Sequence, residues 1–172
     1  PLPLHRRDAG HGHVRRIAAI ADGLTIRHAP DIIGMDEAPA AALRRKRHSS
    51  ILVGIELQES GEADAFVSAG NTGAVMAAAL TTLGRIKGIS RPAIVTPFPT
   101  RASPCLVLDV GANAECKPQH LAQFALMGHV YAAEVLGRER PRVGLLSIGE
   151  EAGKGNELAI AAHRLLAESG WN

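Results

Sequence analysis

At 172 residues with a formal net charge of +2, the chain is long enough for one good hydrophobic core, whether as a domain or as part of a larger one. Hydrophobic residues at 46% against 21% charged exclude a disordered chain. Aromatics at 3% supply no base-stacking platform, and so small a net charge gives no nucleic-acid surface by itself.

Residues 1–16 are rich in proline, histidine and arginine, carry no usable periodicity, and are predicted to be a disordered or atypical N-terminal segment. His11-Gly12-His13 has no carboxylate or cysteine cluster to complete a metal set, so no metal is expected. Cys105 and Cys116 lie far apart without ligand spacing and suit a reducing compartment. No signal peptide or membrane span is visible, which predicts a cytoplasmic protein, peripheral at a membrane at most.

A short helix is predicted over 17–22 and a strand over 24–29, where Pro30 biases Ala29 away from helix. A helix over 36–47 has Pro39 in its first turn. Ser49 or Ser50 then caps a second helix reaching about Glu59, and Gly61 is its expected C′ residue. The run Arg44-Arg45-Lys46-Arg47 is a solvated face, or a surface for an acidic or phosphorylated partner.

The apolar run 65–67 reads as a buried strand, followed by Ser68-Ala69-Gly70-Asn71-Thr72-Gly73 and an Ala-rich helix that Gly84 stops. In that turn Gly70 and Gly73 permit positive φ and close approach of a ligand, while Ser68, Asn71 and Thr72 join the free N–H groups of a helix N-terminus. The reading is a phosphate-sized anion site. The plain structural alternative has Thr72 capping the helix and the glycines serving a tight turn. A basic loop follows over 85–92, with Arg85, Lys87 and Arg91.

A strand over 93–96 is cut by Pro97 and Pro99, and a stronger, nearly all-apolar one over 104–110 suits a parallel sheet. It ends in a loop carrying Asp109, Asn113 and Lys117, and Pro118 starts a helix that continues over 119–136. A third apolar run, 142–148, ends in a loop containing Lys154 between two glycines, then Asn156, before a helix over 157–168. Strand, glycine-bearing loop and helix thus occur three times, which predicts a parallel sheet with right-handed crossovers and a ligand crevice at the strands' carboxyl ends. Lys154 is a point charge able to meet a phosphate or a developing oxyanion, or else an ordinary surface lysine. Asn71, Asn113 and Asn156 recur one per loop as neutral donors and acceptors. No loop holds a Walker lysine-serine pair or a G-x-S-x-G elbow.

Four stretches resemble one family: VSAGNTGA at 67–74, GRIKGISRPA at 84–93, LDVGAN followed by CKP over 108–118, and VGLLSIGEE followed by KGNE over 143–157. Together they are similar to the bacterial phosphate acyltransferases. The resemblance implies a partial phosphate acyltransferase domain over 17–172, in a three-layer α/β/α sandwich with a mostly parallel sheet like that of isocitrate and isopropylmalate dehydrogenases. It implies transfer of a fatty acyl group from acyl carrier protein to inorganic phosphate, giving acyl phosphate for phospholipid synthesis without a cofactor. It also implies a homodimer in loose contact with the membrane, handing its product to a membrane glycerol-phosphate acyltransferase.

On that reading Ser68, Gly70, Asn71, Thr72 and Gly73 cradle phosphate, and Lys154 with Asn156 polarises the thioester or neutralises phosphate. Asp109, Asn113 and Lys117 line the same crevice. The family's Gly/Asp-rich first strand has no counterpart here and the family continues past position 172, so a fragment is expected. Transfer from acyl-coenzyme A, and a non-catalytic anion-binding domain, are the competing readings.

Overall fold

The computed structural model describes residues 25–151 and 153–170. The expected helix over 17–22 and the N-terminal segment 1–16 lie outside them. Residues 25–29, expected as a strand from position 24, carry no regular secondary structure.

The first helix, α1 (Pro39–Arg45), has Pro39 at its opening position, where a missing N–H costs nothing. Next, α2 (Ser50–Glu59) is capped by Ser49, whose Oγ accepts from the Leu52 N–H at 3.4 Å. The third, α3 (Thr72–Thr82), is capped by Asn71, whose Oδ1 accepts from the Ala74 N–H at 3.0 Å. Both α2 and α3 end on a glycine in the left-handed region, Gly61 at φ 76° and Gly84 at φ 81°, as their sequences predict.

Helices this short are stable only through tertiary packing. Here Ile51 and Ile55 of α2, one turn apart, meet Ala74 and Ala78 of α3 and Ala42 and Leu43 of α1 in a single buried cluster. Ala42, Ala74 and Ala78 are completely buried, and their small side chains leave room for Ile51, Ile55 and Leu43 in the same cluster. Phe66 packs against this cluster and lies directly over Gly54, where a Cβ would collide with its ring.

Beyond α3 the chain forms a two-stranded antiparallel sheet, β1 (Thr96–Phe98) and β2 (Cys105–Val107), pairing Thr96 with Val107 and Phe98 with Cys105. The expected strand over 93–96 is therefore shifted forward and includes Pro97. A proline is tolerated because each strand of a two-stranded sheet is an edge. The long helix α4 (Pro118–Glu134) packs on β2 and on α5 (Glu157–Glu168).

The apolar segments 65–67 and 142–148, both expected as strands, form no ladder among the described residues. Val67, Leu146 and Ile148 are 94%, 91% and 87% exposed. A strand gains its stability from a hydrogen-bonded neighbour, and neither segment has one. Between β2, α4, α5 and residues 141–146 lies a cavity of about 660 Å³, lined mostly by apolar side chains such as Leu106, Phe124, Leu145 and Leu158.

Candidate functional site

The turn ahead of α3 departs from the sequence reading in three ways. Neither Gly70 nor Gly73 has positive φ. Gly73 is required for packing instead: a Cβ there would lie 2.8 Å from Cγ of Pro39, the first residue of α1. Asn71, not Thr72, is the cap, and it is buried. Its Nδ2 lies within hydrogen-bonding distance of the carbonyls of Gly34 at 3.0 Å, Glu37 at 3.2 Å and Met35 at 3.4 Å, so the amide is consumed at both ends.

Ser68, Gly70 and Thr72 remain exposed at the mouth of the turn. The Ser68 hydroxyl accepts from the Gly70 N–H at 3.1 Å. The N–H groups of Thr72 and Gly73, at the positive end of the α3 dipole, make no hydrogen bond among the described residues. This head of α3 offers two backbone donors and the hydroxyls of Ser68 and Thr72 to an anion.

In the second loop Asp109 is an organiser. Its Oδ1 accepts from the backbone N–H groups of Ile94 at 3.0 Å and Ala112 at 3.2 Å. Its Oδ2 accepts from the backbone N–H of Asn113 at 2.7 Å and from Asn113 Nδ2 at 2.8 Å. That same Nδ2 also reaches the carbonyl of Pro92 at 2.9 Å. With four donors converging on it, this carboxylate is shaped to hold the loop and not to abstract a proton. Lys117 precedes α4 with its side chain exposed, and its N–H donates to Nδ1 of the buried His120 at 3.2 Å. Partial burial, with the charge of Asp109 adding to it and Arg91 opposing, holds the Cys116 thiol above its ordinary pKa, which makes it a poor nucleophile.

In the third loop Asn156 is the cap of α5, its Oδ1 accepting from the Ala159 N–H at 2.9 Å. Gly155 stands at φ 104°, and a Cβ there would lie 2.5 Å from Ser147 Oγ. Ser147 Oγ in turn donates to the Lys154 carbonyl at 3.2 Å. This turn leaves the Lys154 side chain exposed, with no ion pair among the described residues.

The structure thus brings Asp109 and Asn113 into direct contact. Asn71 goes to the 34–37 turn and Asn156 to the head of α5. Among the described residues no hydrogen bond joins one loop to another. Sequence reasoning gave the three asparagines a shared role in orienting substrate. Asn71 and Asn156 instead cap helices, as Asn ordinarily does at helix starts, and Asn113 is held within its loop by Asp109. Sequence reasoning missed Glu37, whose Oε1 accepts from the Gly34 N–H at 2.7 Å and from Lys46 Nζ at 2.5 Å. The only sequence signal for Glu37 was its place in an acidic pair, Asp36-Glu37, ahead of the basic run that starts at Arg44.

Residues 6–171 match the family described as fatty acid synthesis protein, and the chain belongs to that family. It is 55% identical over 150 residues to the phosphate acyltransferase of Elusimicrobium minutum, covering 87% of this chain and 44% of that protein. The phosphate acyltransferase of Pelotomaculum thermopropionicum is 56% identical over 153 residues, covering 88% and 45%. That of Moorella thermoacetica is 57% identical over 143 residues, covering 83% and 42%. The chain therefore spans less than half the length of these curated relatives.

Proposed function

We propose that the protein carrying this chain transfers a fatty acyl group from acyl carrier protein to inorganic phosphate, releasing acyl phosphate for phospholipid synthesis. What carries the reading is the head of α3 in a family whose relatives are named phosphate acyltransferases: two unbonded N–H groups, Thr72 and Gly73, beside the exposed hydroxyls of Ser68 and Thr72. A phosphate dianion held there needs no base, because it brings its own nucleophilic oxygen. That oxygen bonds to the thioester carbonyl carbon, the C–S bond breaks, and the thiolate leaves and takes a proton from water. Lys154 supplies the charge that steadies the carbonyl oxygen as it becomes an oxyanion. Asp109 keeps Asn113 and its loop in shape beside this chemistry, with Lys117 as a second exposed cation.

For these groups to meet, the three loops must share one rim. The α/β/α sandwich with a parallel sheet supplies it: segments 104–110 and 142–148 both flank the 660 Å³ cavity, and pairing them side by side under α4 and α5 would close it. The exposed Leu146 and Ile148 fit strands waiting for such neighbours. On the same reading the protein is a cytoplasmic homodimer that hands its product to a membrane acyltransferase.

The test is a hydroxamate trap for acyl phosphate on the full-length protein, with carrier-bound and coenzyme A-bound donors compared. Product from the carrier-bound donor is expected. Product only from the coenzyme A donor, or phosphate binding with no product, would replace this reading with one of its competitors.

A further inference from the structure

Lys154 is exposed, yet its backbone and the root of its side chain are held from three directions. Its N–H donates to the Glu151 carbonyl at 2.9 Å, and its carbonyl accepts from Ser147 Oγ at 3.2 Å. Its stem lies over Gly149, where a Cβ would come 3.1 Å from Lys154 Cγ and 3.3 Å from Lys154 Cβ. Glu151 Oε2 is also near that point, at 2.9 Å, but as the free end of a side chain it can swing aside.

Ser147 is the member of this set that its own segment does not explain. In segment 142–148 Val143, Leu145 and Ser147 are half-buried, while Arg142, Gly144, Leu146 and Ile148 are exposed. Val143 and Leu145 line the apolar cavity. The third inward position breaks the apolar pattern, and its hydroxyl goes to the carbonyl of a residue seven places further on. Gly155 keeps room for that contact, since a Cβ there would lie 2.5 Å from Ser147 Oγ and 3.0 Å from the Ala159 Cβ. Gly153, the other neighbour of Lys154, has open space at its Cβ position among the described residues. Of the two glycines that flank the lysine, one is required by Ser147 and the other is not.

We propose that Ser147 is a positioning residue for the reaction: through the Lys154 carbonyl it fixes the direction in which that lysine leaves the chain, while Gly149 gives the stem a place to lie. This rests on the role given to Lys154 above. Lysine has a long flexible stem, and restraint at its root lessens the ordering still needed when charge develops on the substrate. A serine that only closed the turn would cost the same activity whether or not the lysine amine were present. One that acts through Lys154 costs nothing further once the amine is gone.

The experiment measures acyl phosphate formation by the full-length protein from the carrier-bound donor, comparing Ser147→Ala, Lys154→Ala and the double variant, with urea denaturation of each to separate lost fold from lost turnover. Ser147→Ala is expected to lower turnover about five-fold or more, and Lys154→Ala at least about ten-fold. The double variant is expected within about two-fold of Lys154→Ala alone. Gly149→Ala crowds the lysine stem and leaves the hydroxyl in place, and should lower turnover about three-fold or more, with Gly153→Ala within about two-fold of wild type. If Ser147→Ala does not fold, Gly149→Ala takes its place in the same cycle. Unchanged turnover in Ser147→Ala overturns the role of the hydroxyl. A double variant about five-fold below Lys154→Ala overturns it too, being the result for a serine that serves the fold alone. Full turnover in Lys154→Ala removes the lysine from the chemistry and, with it, anything that positions it. Wild-type protein that makes no acyl phosphate from the carrier overturns the proposed function itself, a result read before any variant is compared.

Discussion

The two halves of this molecule solve the same problem to different degrees. In the helical cluster α1–α3, alanine and isoleucine close a core in which Ile55 is 1% exposed and Ala42, Ala74 and Ala78 are sealed. In the half built from β1, β2, α4 and α5, the buried apolar residues among those described are Phe124, Ala132, Ala162 and the loop residue Pro141, and a cavity of about 660 Å³ remains beneath them. The difference lies in what each kind of element needs. A helix satisfies its own backbone and requires only a greasy face to lie on. A strand requires a hydrogen-bonded neighbour before its side chains can pack at all.

If the first half is the self-sufficient one, Ile55→Ala should cost about 2–5 kcal/mol in chemical denaturation. A loss under about 1 kcal/mol would show that the cluster is loosely packed after all. Asn71→Ala comes next. It removes a cap and a donor serving three backbone carbonyls, and is expected to cost about 1–3 kcal/mol. Asn156→Ala removes only an exposed cap and should cost about 1 kcal/mol or less. Equal losses would erase the contrast between the two helix starts.

Lys154→Ala should leave the denaturation midpoint alone while lowering turnover of the full-length protein at least about ten-fold, a barrier change of about 1.4 kcal/mol. Unchanged acyl phosphate formation would remove Lys154 from the chemistry. The smallest effect concerns acid. Lys46 above all, and the Gly34 N–H, hold the Glu37 carboxyl below its ordinary value. A depressed folded pKa means the stabilisation is present above the unfolded carboxylate range and fades as pH falls through the folded value. Glu37→Gln is therefore expected to flatten the acid limb of a stability–pH profile slightly, with the two proteins converging at the lowest pH.

What was legible in the sequence follows the same division. Pro39, Ser49, Gly61, Gly84 and Pro118 mark helix ends through backbone rules that act within a few residues, and all five stand where those rules put them. The choice of Asn71 over Thr72 as cap was not legible. Both can cap, and what decides is a set of carbonyls at positions 34–37, far upstream. The division of the basic run was hidden for a similar reason, since Glu37 selects Lys46 and Arg45 by geometry across α1. The apolar runs 65–67 and 142–148 read as strands, yet a ladder is a property of two segments and periodicity reports only one. The family was legible in four short motifs, and relatives sharing more than half their aligned residues agree with it.

The contact between Gly73 and Pro39 bears on inheritance. Where α1 rests on the opening turn of α3 there is no space for even one methyl, so drift at position 73 is blocked for as long as a proline faces it. Descendants of this gene should therefore change the two sites jointly or leave both untouched.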